Sequence, residues 1–264
     1  MQSHKDNYVL TDENAVFKFA VISVLGDRSD QQDSAGYELK NTEGIICVCD
    51  GMGGHEGGKT ASTLAVDIMV NTYTDEYPCS DLHGLLVDSA TFADKKISSL
   101  KNQSGDPLRG GSTLTAISIR ENKLFWVSIG DSRIYLLRGN DCVRVTGDHI
   151  YRYVLEEKLD SGQITQNEYD IEMGKGEALV SFLGNGIPYI DSNDKAFILK
   201  SGDRILMMTD GLYKVLSDNE ISSIIFNFKD IEEALSALEY KVAKSASKSG
   251  ISRDNMTVSL IEIK

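Results

Sequence analysis

Proline is scarce in this chain, three residues in 264, and cysteine nearly so, with four. So little proline leaves no room for a proline-rich linker, and no internal repeat or low-complexity segment is visible. Cys47, Cys49, Cys79 and Cys142 include no Cys-x-x-Cys pair, which removes the usual zinc signature. Cys47 and Cys49 should share one face of a strand, too close along it for an ordinary disulfide. Four isolated cysteines suit a reducing compartment, so a cytoplasmic location is expected. Long apolar runs are missing too. None approaches the ~20 residues of a membrane span, and the N-terminal stretch shows neither the basic nor the apolar region of a signal peptide, so no membrane partner is expected. Positive charge is in deficit, 27 Lys+Arg against 40 Asp+Glu for a net −13. Nucleic-acid binding relies on a basic face that displaces counterions, so DNA and RNA are excluded as expected partners.

What is present is ordinary globular material, 41% hydrophobic and 25% charged. A chain of this length buries roughly 70–75% of its unfolded surface and needs no staple; one large domain or two small ones would fit. Strand signals run over Phe19–Leu25, Gly44–Cys49, Thr113–Ile119, Leu124–Ile129, Ile134–Leu137, Asp203–Met208 and Met256–Ile263, bounded by Gly, Asp, Asn or Ser. The turns at 120–122, 130–132 and 139–141 are too short for parallel crossovers, and predict an antiparallel meander between 112 and 146. Ala61, Leu64, Ala65, Ile68 and Met69 form a helical stripe; so do Ile231, Ala234, Leu235, Leu238 and Val242, and a third helix is expected over Asp81–Leu100. Amphipathic helices and a meander must cover each other, which favours an α+β layered sandwich over a doubly wound sheet. Residues 148–190, polar and irregular, read as an insertion or flap.

The chemistry shows where apolar strands stop. Ile45–Cys49 runs into Asp50-Gly51, and Ile205–Thr209 into Asp210-Gly211; Asp131 stands in a turn between strands, Asp254 precedes the last strand and Asp33 follows the first. An Asp-Gly pair is by itself a turn signal. Five carboxylates at strand ends, gathered at one sheet edge, would instead repel one another unless cations neutralised them. Oxygen-only ligands suit hard ions such as Mg²⁺ or Mn²⁺, and two such ions about 3.5–4 Å apart can activate water and polarise a phosphoryl oxygen.

Arg28…Gln32-Asp33, Asp50-Gly51-Met52-Gly53-Gly54-His55, Gly111-Ser112-Thr113, Gly130-Asp131-Ser132-Arg133, Asp210-Gly211 and Asp254-Asn255 resemble, in order and spacing, the metal-dependent type 2C (PPM) protein Ser/Thr phosphatases, in their bacterial form. The resemblance runs from about residue 17 to 263. It implies one domain over 1–264, with the flap inside it, built as a four-layer α-β-β-α sandwich of two stacked antiparallel sheets. It implies hydrolysis of phosphoserine and phosphothreonine by a hydroxide bridging two Mn²⁺ or Mg²⁺ ions, with a weaker third ion. Asp50 would bridge the metals, Gly51 would ligate through its carbonyl, Asp210 and Asp254 would hold the second ion, and Asp131 with Asp210 would match the third site. Asp33 would belong to the metal site and act on metal-bound water, and Arg28 would grip the substrate phosphate, which its planar fork suits. The implied partners are phosphoprotein substrates and an opposing Ser/Thr kinase, and the implied oligomeric state is a monomer.

The chain departs from that pattern in places. Gln32 stands where many members carry Glu, and Met52 where eukaryotic members carry a His proposed as general acid; His55, nearby, is read as a structural residue at the start of a helix. The flap keeps Leu159–Thr165 but lacks the His-Pro segment common just afterwards. Two alternatives stay in view. Gly53–Thr60 satisfies the P-loop pattern GxxxxGK[ST], although Asp50 and Glu56 would repel a phosphate there. The other is a catalytically weak phosphatase fold that serves as a binding module. No Cys is followed six residues later by Arg and no Asp-x-Asp-x-Thr occurs, so cysteine- and aspartyl-phosphate chemistries lack their motifs.

Overall fold

Burial along the strands dictates the layering. The computed structural model describes residues 7–53, 57–102 and 104–264. Every residue of β4 (Glu43–Cys49) is buried, yet its side chains serve two layers. Ile45, Cys47 and Cys49 pack with α1 (Gly57–Asp75) and α2 (Leu82–Ser98), while Ile46 and Val48 join the core between the sheets. Across that core, β2 (Phe17–Val24), β13 (Arg204–Met208) and β14 (Met256–Ile263) turn Phe19, Ile205, Met207 and Ile261 inward. They turn Ala20, Leu206, Met208 and Leu260 outward, onto α5 (Asp210–Tyr213), α6 (Asp218–Asn227) and α7 (Ile231–Ser249). Strands buried on both faces read as continuous apolar runs rather than alternating ones, as these do. The result is the expected α+β sandwich of helix, sheet, sheet and helix.

One sheet has the order β1 (Tyr8–Glu13), β2, β14, β13, β9 (Arg133–Arg138), β10 (Asp141–Arg144). The other runs β11 (Asp191–Ser192), β8 (Lys123–Ile129), β7 (Leu114–Arg120), β4, β3 (Ser34–Leu39), with β12 (Phe197–Ile198) also on β8. A two-residue ribbon pairs β5 (Gly51–Met52) with β6 (Gly111–Ser112). Every pairing among the described residues is antiparallel. That contradicts the P-loop alternative, which needs a parallel βαβ sheet; residues 54–56 of that motif, His55 among them, lie outside the described residues.

The expected meander is corrected. β7 and β8 form a hairpin, but β8 and β9 do not pair: the chain leaves one sheet at Ile129 and enters the other at Arg133. Gly130 makes the crossing, with φ +98° and no room for a side chain, since a Cβ would sit 2.7 Å from Thr113 Cγ2. Asp131 therefore stands at a junction between sheets and not in a hairpin turn. The flap is also less irregular than its composition suggests, holding α3 (Tyr151–Asp160) and α4 (Gln166–Glu172). Leu155 is the one buried residue of these two helices, too few for an apolar stripe, although the Thr165/Glu168 capping box that opens α4 is written in the sequence.

Candidate active site

At one edge of the sandwich the ends of both sheets meet. From the first sheet come Asp50, just past β4, and Asp33, just before β3; from the second come Asp210, just past β13, and Asp254, two residues before β14; Asp131 lies on the crossing between them. Asp50, Asp131, Asp210 and Asp254 line one cleft of about 550 Å³ with Arg28, Gln32, Gly51 and Met52, and the flap contributes Glu177 and Leu179 to its wall.

Backbone bonds fix these groups. The Asp50 N–H donates to Thr113 Oγ1 (2.9 Å), the Thr113 N–H donates to the Asp50 carbonyl (2.8 Å), and the Ser112 hydroxyl donates there too (3.1 Å). The glycines of the two Asp-Gly junctions serve close approach and not a sharp bend, for neither has a positive φ. A Cβ on Gly51 would meet the Gly58 carbonyl oxygen at 2.2 Å, and one on Gly211 would meet the Asn255 carbonyl oxygen at 2.0 Å. Asn255 ties the strand ends together, accepting from the Gln32 N–H (2.9 Å) and donating to the Leu25 carbonyl (2.8 Å). With its amide turned to suit its neighbours, Gln32 donates to the carbonyls of Gly51 (3.0 Å) and Gly53 (3.2 Å). A glutamate in the same place would set a carboxylate against two carbonyl oxygens, which accounts for the amide here.

Asp33 does not line the cleft. It is 4% exposed, behind the floor, with Oδ2 accepting from the Thr209 hydroxyl (2.9 Å) and Oδ1 without a partner. Burial pushes its pKa up to about 7; the charges of Asp210 and Asp254 add to the rise, and the Thr209 and Thr257 side chains oppose it. Asp50 is raised well above the ordinary carboxylate value by burial, then by Asp33, Asp210, Asp131 and Asp254. Asp131 is raised by burial and by Asp210, against Lys214 and Tyr213. At the rim, Arg28 is 58% exposed and donates from Nη2 to Asp254 Oδ2 at 2.6 Å. Lys214 pairs with Asp210, and the Tyr213 hydroxyl donates to Asp131 (3.0 Å).

These residues fit hard divalent cations. The donors are all oxygen, burial and mutual repulsion disfavour their charged forms, and a buried carboxylate oxygen is unpartnered. Among the described residues no three acidic, His or Cys side chains close into a ready-made metal cage; the outward carboxylates lean on Arg28, Lys214 and Tyr213 instead. Two contributors, Tyr213 and Lys214, lay outside the sequence reading, while Thr209 and Asn255 were read only as parts of a strand end and of the Asp254-Asn255 motif. Tyr213 and Lys214 follow the Asp210-Gly211 pair within three residues, and that nearness was the available signal; which way each side chain turned was not.

Comparison with known proteins agrees with this geometry. A family model described as protein phosphatase 2C matches residues 23–246. Protein phosphatase PhpP of Streptococcus pneumoniae is 29% identical over 250 residues, 92% of this chain and 97% of that protein. The Mycobacterium tuberculosis serine/threonine phosphatase PstP/Ppp superposes with a TM-score of 0.75 at 26% identity, covering 94% of this chain and 99% of the other. A second structure, the catalytic domain of PstP in complex with two manganese ions, gives 0.71 at 26% identity over 94% and 98%. With most of its length matched and five aspartates brought to one sandwich edge, the chain belongs to the protein phosphatase 2C family of metal-dependent Ser/Thr protein phosphatases.

Proposed function

We propose that this phosphatase hydrolyses phosphoserine and phosphothreonine in proteins at the edge cleft, using two Mn²⁺ or Mg²⁺ ions held by Asp50, the Gly51 carbonyl, Asp210 and Asp254. The convergence of carboxylates from both sheets on one cleft carries this reading. When bound, such ions lower the pKa of water and neutralise charge on the phosphoryl oxygens. Arg28, at the rim with more than half of its side chain exposed, turns from Asp254 to clamp the substrate phosphate and orient it for in-line attack. Asp33, buried behind the cleft with its Oδ1 unpartnered, supports the site from below and does not touch substrate. Met52 lines the cleft and has no proton to give, so protonation of the leaving alkoxide falls to another group.

The whole chain is read as one catalytic domain carrying the flap. No helix among the described residues is long and apolar enough to cross a membrane, and the cytoplasm is the proposed location. Exposed large apolar side chains, such as Val9, Phe92, Val143, Ile171 and Tyr240, come from separate elements, which supports a monomer. A phosphoprotein substrate requires a kinase, so the proposed role is to oppose a Ser/Thr kinase.

The test is phosphate release from p-nitrophenyl phosphate and a phosphothreonine peptide, with and without Mn²⁺, for wild type and Asp50→Asn. Turnover should require the metal and fall by roughly 10²-fold or more in the variant, with far-UV circular dichroism unchanged. Absence of turnover at every metal concentration would leave the binding-module alternative.

A further inference from the structure

Two consecutive residues at the end of α5 engage the two carboxylates on one side of the cleft. Lys214 pairs with Asp210, one helical turn earlier, and its N–H also donates to the Asp210 carbonyl (3.0 Å). The Tyr213 hydroxyl donates to Asp131 Oδ2 at 3.0 Å. The Tyr213 ring is held in place. The Arg133 guanidinium stacks 3.6 Å over the Tyr213 ring and is itself held by Asp148, at 3.0 Å from Nε and 2.8 Å from Nη2.

We propose that Lys214 is a tethered cation that, with Tyr213, takes the place a third divalent ion would need between Asp131 and Asp210, so that this chain holds two ions and no more. A covalently attached ammonium competes as an intramolecular group, present beside Asp210 at every free-ion concentration. A divalent ion beside it would meet an ammonium at close range instead of a second free carboxylate. Asp131 then acts through Tyr213, as part of the wall of the site. This inference rests on the two-ion reading above.

The experiment counts bound Mn²⁺ at equilibrium, by the electron paramagnetic resonance signal of the free ion, for wild type, Lys214→Ala, Lys214→Gln and Asp50→Asn. Wild type should saturate at two ions per chain. Each Lys214 variant should take up one more, weaker, ion, and a second substitution, Asp131→Asn, should abolish that gain. Lys214→Gln keeps the long stem, so a folding defect from lost packing would not hide the result. Three ions on wild type, or no additional ion on either Lys214 variant, would overturn the proposal while leaving the two-ion site intact. Failure of wild type to bind more Mn²⁺ than Asp50→Asn would overturn the two-ion reading itself, and this inference with it.

Discussion

Replacing Thr209 by valine removes one hydroxyl and changes almost nothing in shape, yet that hydroxyl works in two directions. It donates to the buried Asp33 carboxylate at 2.9 Å and accepts from the Thr257 N–H at 3.0 Å, where the β13–β14 ladder ends. Loss of a bond to a carboxylate costs about 1.5–3 kcal/mol, and an orphaned buried N–H about 1–3 kcal/mol. Part of this is recovered by relaxation, so a net loss of about 3 kcal/mol is expected. At about 2.1 cal/mol/K per residue, 264 residues give an unfolding entropy near 0.55 kcal/mol/K, and Tm should fall by about 5 °C. The assay is thermal unfolding in EDTA, which isolates the polypeptide's own contribution. Thr209→Ser, which keeps the hydroxyl and loses a methyl, should stay within about 1.5 kcal/mol of wild type. If serine were as damaging as valine, packing and not the hydroxyl would be what matters, and the reasoning would be wrong.

Two further outcomes follow from charge. Asp33 and Asp50 have raised pKa values in the metal-free fold, so the folded chain binds protons more tightly than the unfolded one. Stability present near pH 4 should then decline as pH rises through 7, and more steeply for wild type than for Asp33→Asn when Tm is measured in EDTA; equal slopes would contradict this. Asp203 is the opposite case. Burial raises its pKa, but bonds from Arg138 (2.9 and 2.6 Å) and the Lys200 N–H (2.7 Å) override that and hold it below the ordinary value. Its contribution is present above the unfolded carboxylate pKa and lost as pH falls through the lower folded one. Asp203→Asn should cost about 2–3 kcal/mol by urea unfolding at pH 7, and the gap from wild type should narrow on acidification; a gap that widened would refute it.

The layering was legible because burial on both faces writes continuous apolar runs, and β2, β4, β7, β8, β9, β13 and β14 all fall within two residues of their expected bounds. The edge strands were not. β1 is mostly exposed and carries Asp12 and Glu13, and β3 reads Ser-Ala-Gly-Tyr-Glu-Leu, so neither shows apolar continuity or clean alternation. Which strands pair is a long-range fact: short turns predict hairpins, and only the packing of Gly130 against Thr113 shows that one such turn changes sheets. In the same way the carboxylates were readable as residues at strand ends. Their partners Tyr213 and Lys214 were not, because a helix of four residues has no periodicity to detect.

The proposed ligand set is divided. Asp50 and the Gly51 carbonyl belong with one sheet, Asp210 and Asp254 with the other, and the halves are held in register by the apolar layer of Phe19, Ile46, Val48, Ile205 and Met207 together with the Thr209–Asp33 and Gln32–Asn255 hydrogen bonds at the edge. In the proposed two-ion site neither half alone supplies every ligand, so ion affinity would be reserved for the state in which the sheets are docked. A bound ion would thus act as a rivet across the sandwich: it would slow the parting of the sheets, make resistance to unfolding depend on free metal concentration, and leave a half-formed chain with nothing to gain from the metal.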